Sequence, residues 1–578
     1  MDVTAQSFAY HLPRILDELA TCCFVSMDFE FSGIATASSA PSSGSQTLQE
    51  RYEEVKRSAE KYQILQVGLT ICHEDTGKAT YTLKPYNICL SPIIDKRLEL
   101  ERDWMMQSGA VEFLLENKFS MDAVFKNGVC YLSREEEELA MAKAIERRDR
   151  VATHTLIDVK ETELESLAFL QAARRLVDDW LAIRTTRDSY LNIPPPTRIG
   201  HLQSSKSLPS TLNRFQKRLV HQLIEVEYPS LVTISNPGFI QIIDYDEERE
   251  RSLREQRLNR VQERIWKQTG FRWIAEALAG GDLSNLDTSF FIGIMSNSAA
   301  VKPIYSLREF SEKLRERLQE HRPVLGHNIF SDLIYFYRCF FGPLPDKVED
   351  FQSTMHELFP VLMDTKYMAT HNCGSINPRS SLPEINDSLS KRATPKIEIH
   401  SQYSKYNTRK IEHEAGYDSL LSAQIFIRLS AQLRDGRESP PESSSFADLP
   451  HQVSPERVAE WTETEDRLNN TRQNTLVADS QRHHRGQGRH DLPQAPKPNA
   501  FGTRFDLLEI EEIIDSIDSD IPTDDRKLSL APSDSAELMR KANSGELIPR
   551  LGAKFWKVYG NKLRVFGTLE RVCIIGAS

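Results

Sequence analysis

CCFVSMDFEFSGI, residues 22–34, decides how this chain is read. The largely apolar run from Cys22 to Met27 reads as a buried strand that ends at two carboxylates, Asp28 and Glu30. Side chains at i and i+2 of a strand share a face. Carboxylates held side by side repel each other unless something cationic sits between them, and a divalent metal pair is the obvious neutraliser. A D-x-E alone is weak, because a solvated strand end explains the same letters.

Further acids lie far along the chain. In GHNIFSDLIYFY (326–337), Asn328 and Asp332 are four apart on the start of a helix, and Asp332 is set among apolar residues. A buried carboxylate there needs a partner. In HEAGYDSLLSAQIF (413–426), Asp418 starts an apolar helix and His413 sits on the turn before it, where an imidazole near neutrality can accept a proton. A sheet core can bring all four acids to one edge. That set suits phosphodiester hydrolysis assisted by two Mg²⁺ ions, with Mn²⁺ also admitted by the ligand chemistry.

At about 150 residues per domain, 578 residues allow three or four domains. The formal net charge is −11, which excludes a globally basic nucleic-acid coat but not a local basic groove. Eight cysteines without a CxxC pair argue against a disulfide scaffold and a structural zinc site. The N-terminus lacks the apolar core of a signal peptide. No run reaches about 18 uncharged apolar residues. A soluble protein with no membrane partner is expected, located in nucleus and cytoplasm.

The periodicity predicts a helix over 7–20, strands over 62–74 and 79–90, a loop over 35–50, and helices over 109–119, 133–148, 161–184, 213–229, 246–268 and 271–280. A strand at 289–296 precedes a helix over 307–321. A strand at 322–328 then runs into a helix over 329–342, a strand or helix start occupies 360–369, and the last strong helix covers 415–433. Residues 434–500, poor in apolar side chains, read as a disordered linker. An acidic helix is expected at 507–520. Residues 553–576 alternate like two strands about a turn at Tyr559–Asn561, with Trp556 either stacking surface or core.

Together, DFEFSGI (28–34), FLLENKFSMDAVFKNGVCYLSREEE (113–137), FQKRLVHQLI (215–224), GHNIFSDLIYFYRCFFGPLP (326–345), FPVLMDTKYMA (359–369) and HEAGYDSLLSAQIFI (413–427) resemble the poly(A)-specific ribonucleases, a branch of the DEDD exonuclease superfamily. The resemblance covers about 1–430. It implies an α/β, ribonuclease H-like mixed sheet flanked by helices. The nuclease would occupy 1–170 and 246–433, split by a small single-strand-binding α/β domain at 171–245. The linker at 434–500 and a short segment at 501–578, a remnant of an RNA-recognition-type domain, would follow. It implies that Asp28, Glu30, Asp332 and Asp418 bind the two metal ions, that Asp28 is shared by both, and that His413 is the general base.

The implied activity is 3′–5′ degradation of single-stranded RNA with a 3′ poly(A) tail, releasing 5′-AMP, by a protein that dimerises through its nuclease domain. By resemblance and adjacency, Phe31, Ile34, Phe113 and Lys366 are candidate substrate contacts, and Asn328 orients a metal-bound water or Asp332. Arg214, Lys217 and Arg218 on the inserted helix are candidate phosphate contacts. Lys217 and His221 there have the domain's Arg-x-x-x-His spacing, with Lys in the first place. The short C-terminal segment leaves 5′ cap binding open. Two other activities fit the same sequence: 3′-end trimming of small non-coding RNAs, and a non-catalytic RNA-binding or scaffold role.

Overall fold

After a two-residue strand β1 (Asp2–Val3) and a helix, Ala5–Thr21, the chain enters β2, Phe24–Phe31. This strand carries both acids at its end, as the sequence suggested, and closes at Phe31. The structure is a computed structural model that describes residues 1–35, 46–149, 157, 159–183, 186–196, 211–286, 307–371, 380–434 and 532–576. The expected strand at 289–296, nearly all of the 434–500 linker and the acidic helix at 507–520 lie outside the described residues.

β2 pairs antiparallel with β3 (Ile64–Asp75), and β3 with β4 (Thr80–Ser91). On its other side β2 runs parallel to β9 (Val324–Gly326), which runs parallel to β10 (Leu362–Asp364). The order is β1-β4-β3-β2-β9-β10, and β4 also pairs with β5 (Val129–Cys130) and β11 (Lys396–Ile399). This is an α/β fold with a mixed sheet. Both faces need covering, because buried strands alternate apolar side chains to either side. One face takes the helix Ala415–Gln432, with the Phe24 and Phe426 rings 4.9 Å apart. The other takes the helices Ala5–Thr21 and Phe330–Phe340, with Phe29 against Phe336 at 5.8 Å.

Of the loop expected over 35–50, residues 36–45 lie outside the described residues, and a helix runs from Leu48 to Ala59. Its signal was present in the letters: Thr47 and Glu50 cap its first turn reciprocally.

The helices Leu164–Ala182 and Arg214–Glu227 pack on a separate antiparallel sheet of β6 (Tyr190–Ile193), β7 (Leu231–Ser235) and β8 (Ile240–Asp244). Phe169, Val177, Val220, Leu223, Ile240 and Ile242 form its own buried cluster. Its first helix starts ahead of the 170/171 division drawn from the sequence. The charged helix Glu247–Thr269 follows it.

The tail differs from its sequence reading. Lys554–Tyr559 is a helix, and the two strands are β12 (Lys562–Arg564) and β13 (Val572–Ile574) beyond it. Alternation in FWKVY misleads because five residues are too few to separate period 2 from period 3.6. The segment is fastened to the main sheet. Ile548 N–H donates to the Tyr81 hydroxyl at 2.7 Å, Arg550 pairs with Glu74 at 2.8 Å, and Asn561 N–H donates to the Leu362 carbonyl at 2.8 Å. Trp556 lies against Phe426 and Phe555, its indole N–H donating to the Pro549 carbonyl, so it is core of this unit. No helix among the described residues is long and apolar enough to cross a membrane.

Candidate active site

Three carboxylates converge where β2 meets the late helix. Asp28, Glu30 and Asp418 each offer an oxygen, and these lie within 4.8 Å of one another. The first two share the β2 face that looks toward the helix Ala415–Gln432. The third is brought in by a close approach. Asp28 pairs with Gly68 on β3, and a Cβ at Gly68 would stand 1.8 Å from the Ala415 carbonyl oxygen. Only glycine lets the helix start come down onto the strand there.

Two buried side chains then hold that helix start. Ala415 N–H donates to Gln66 Oε1 at 3.0 Å, and Gly416 N–H donates to Asn87 Oδ1 at 3.1 Å. These satisfy orphan donors of the helix's first turn. Thr70 and Ser419 hydroxyls bond at 2.9 Å one turn on.

The cluster is electrostatically strained. Burial, then Asp418, Glu30 and Asp332, push Asp28 well above the usual carboxylate range. Burial, then Asp418 and Asp332, do the same to Glu30. Burial raises Asp418 to about 7, although the His413 backbone N–H bonds to it and works downward. Burial raises Asp332 to about 7, with Asp364 adding to it. Asp332 opens the helix Phe330–Phe340 and lies outside the tight triad, yet within its field. Glu414, four residues before Asp418, is occupied otherwise: it pairs with Lys405 at 2.8 Å and accepts from the Tyr406 hydroxyl at 2.6 Å.

Oxygen donors that repel one another until a cation intervenes fit a hard divalent ion such as Mg²⁺ or Mn²⁺. The stability sign follows. Folded-state values raised above the ordinary range mean that the folded chain holds more protons than the unfolded chain between about pH 4 and pH 7. These acids therefore stabilise least at the alkaline end. In EDTA, the melting temperature should fall from about pH 5 to about pH 8, and saturating Mg²⁺ should flatten that fall. A slope that Mg²⁺ leaves unchanged would detach the ion from these acids.

His413 has a left-handed backbone, φ 61°, on the turn before the late helix, and its side chain is exposed. The Phe113 ring meets its imidazole edge-on at 4.9 Å. Desolvation lowers its pKa, so it is neutral near pH 7. Phe113 comes from the helix Ser108–Glu116, whose preceding residue Gln107 bonds back to the end of β2, N–H to the Ser32 carbonyl and Oε1 from Ile34 N–H. Phe113, His413 and Asp418 thus form one wall, and Ile34 is exposed on the approach. Phe31 lies with Tyr335 at 4.4 Å and Phe29 at 6.3 Å.

Lys366 is buried at 4% exposure, its ammonium donating to the Ser380 carbonyl at 2.9 Å. Asn328 also has a left-handed backbone, φ 60°, and gives its N–H to Asp364 at 2.7 Å. On the insert, the Lys217 ammonium donates to the Asn236 and Pro237 carbonyls, and His221 bonds Thr233, so the pair fastens the helix to its own sheet. Arg214 and Arg218 are both exposed.

Asp364 went unnoticed in the sequence. It is fully buried and accepts the backbone N–H groups of Asn328, Lys366 and Arg564 at 2.7, 2.9 and 2.8 Å. Burial outweighs those bonds and raises it to about 6. It shapes the turn that delivers Asp332.

A carboxylate cluster of this kind, at the C-terminal end of a strand in a mixed sheet, defines the DEDD type of exonuclease. The chain matches the family model described as CAF1 family ribonuclease over residues 3–426, and it belongs to that family. It is 25% identical over 454 residues to the poly(A)-specific ribonuclease PARN of Xenopus laevis, covering 75% of this chain and 63% of the frog protein. It is 26% identical to an uncharacterized protein of Schizosaccharomyces pombe, covering 74% and 92%. It is 23% identical to the pre-piRNA 3′-exonuclease trimmer of Bombyx mori, covering 74% and 71%. The chain thus spans less than two thirds of the length of the frog relative.

Proposed function

We propose that this chain is a divalent-metal-dependent 3′–5′ exoribonuclease that shortens poly(A) tails of single-stranded RNA and releases 5′-AMP. The observation that carries the reading is the convergence of Asp28, Glu30 and Asp418 within 4.8 Å, in the field of Asp332, on a chain of this family. Asp28, Glu30, Asp332 and Asp418 would hold two divalent ions, which when bound would supply an activated water and charge stabilisation for the leaving group. The acids hold the ions and form no covalent bond to the substrate. His413, neutral near pH 7, takes the proton from the attacking water through its imidazole. Phe113, edge-on to His413, limits the swing of that ring.

Ile34, Phe31 and Phe113 are the proposed contacts to the terminal bases, with Lys366 supplying positive charge nearby. Arg214 and Arg218 are proposed to meet phosphates farther from the cut. Dimerisation through the nuclease domain is proposed from the family resemblance.

The test is degradation by purified protein of labelled poly(A), poly(U) and a structured RNA with a short A tail, with and without Mg²⁺. The expected result is Mg²⁺-dependent shortening of poly(A) and of the A tail, with AMP as product and poly(U) spared. Equal trimming of mixed-sequence 3′ ends would make the chain a trimmer. Binding without shortening would make it a scaffold.

A further inference from the structure

Arg564, in the C-terminal hairpin, is a buried cation whose side chain makes no ion pair among the described residues. The residue is 8% exposed, and its Nε is buried with no hydrogen-bond partner. Its guanidinium lies 5.1 Å from the Phe566 ring centre. The Lys366 ammonium lies 5.7 Å from the same ring. Burial and neighbouring Arg571 lower the Arg564 pKa, and Asp364 offsets them only in part. The same positive field is felt nearby: burial and Lys366 lower His327 to about 3, and burial, Lys562 and Arg564 lower His371.

The carboxylate that opposes these charges is Asp364, and its oxygens are taken by three backbone N–H groups rather than by any side-chain cation. Burying a cation is costly unless it is paired. The fold nevertheless fixes this one in place. Arg564 N–H is held by Asp364, and in the hairpin loop Val565 N–H donates to the Arg571 carbonyl at 2.9 Å while Arg571 N–H donates to Thr568 Oγ1 at 3.0 Å. The cluster adjoins the acidic site, because Asp364 also holds the N–H of Asn328 at 2.7 Å, four residues before Asp332. Planar guanidinium groups suit phosphate oxygens.

We propose that Arg564, with Arg571 and Lys366, forms a phosphodiester-binding subsite that the C-terminal segment adds to the nuclease cleft, holding a backbone phosphate upstream of the nucleotide being removed. This rests on the exoribonuclease reading above. The C-terminal hairpin is then part of the substrate site as well as a cap on the core.

The experiment measures binding rather than turnover. The full chain carrying D28N is titrated with fluorescently labelled A-tailed RNA in EDTA over a series of salt concentrations. Adding R564Q should weaken binding about tenfold and make the plot of log affinity against log salt shallower by about 0.7, one single-strand phosphate contact. R564K should restore most of both, which a purely structural role would not predict. A folded R564Q protein with unchanged affinity and slope overturns the subsite. If R564Q does not fold, R571Q carries the same expected loss, and unchanged binding by it overturns the subsite equally. Failure of the D28N parent to bind RNA at any salt would instead bring down the exoribonuclease reading, and the subsite with it.

Discussion

Asp28→Asn should reduce RNA shortening about a thousandfold or more, roughly 4 kcal/mol of barrier, and should leave a chain that unfolds cooperatively. The two halves of that result have separate causes. Asp28 sits among Asp418, Glu30 and Asp332, and each raises its pKa. Asparagine keeps the shape and one acceptor oxygen but removes the charge that holds a divalent ion. The same change relieves the repulsion, so in EDTA at neutral pH the melting temperature should match or exceed that of the parent. Activity and melting are read on the same preparation. A variant that loses activity because it no longer folds would show Asp28 to be structural, and a variant that still shortens RNA would remove it from the site.

Asp364→Ala should have the opposite profile, a large loss of stability. One side chain accepts from Asn328, Lys366 and Arg564 at 2.7–2.9 Å with no exposure to water. Alanine leaves those donors buried and unmatched, at about 1–3 kcal/mol each before relaxation, so a total of about 3–5 kcal/mol is expected in denaturant unfolding. The three donors belong to the turn before Asp332, the start of the helix Thr365–Thr370 and the C-terminal hairpin, so the loss should also expose residues 532–576 to early proteolysis. Asp364→Asn, which keeps one acceptor oxygen, should fall between. Stability within about 1 kcal/mol of the parent in the alanine variant would mean that water replaces the carboxylate without difficulty.

The order of strands and helices through residue 433 was legible wherever periodicity was strong and long, as in β2, β3, β4 and the helix Ala415–Gln432. Asp28 and Glu30 announced themselves because charge inside an apolar strand is costly and needs a reason. Gln66, Gly68 and Asn87 carried the same signal, polar or side-chain-free positions within the apolar strands β3 and β4, but their meaning depends on which helix lands on them. That is tertiary information. Asp364 was hidden because its partners are backbone groups as far away as residue 564. Lys217 was legible as a cation, but not as one held by the carbonyls of its own domain.

The ties between the chain's first and last portions bear on its birth at the ribosome. The helix beginning at Leu48 has its first N–H held by Glu570, 522 positions later. At about 5–20 residues per second, that partner arrives roughly half a minute to two minutes after Leu48 has been made. Until then the flank formed by β10 and this helix is open, with apolar surface awaiting a mate. The nascent polypeptide is thus most exposed to chaperones and to aggregation late in translation.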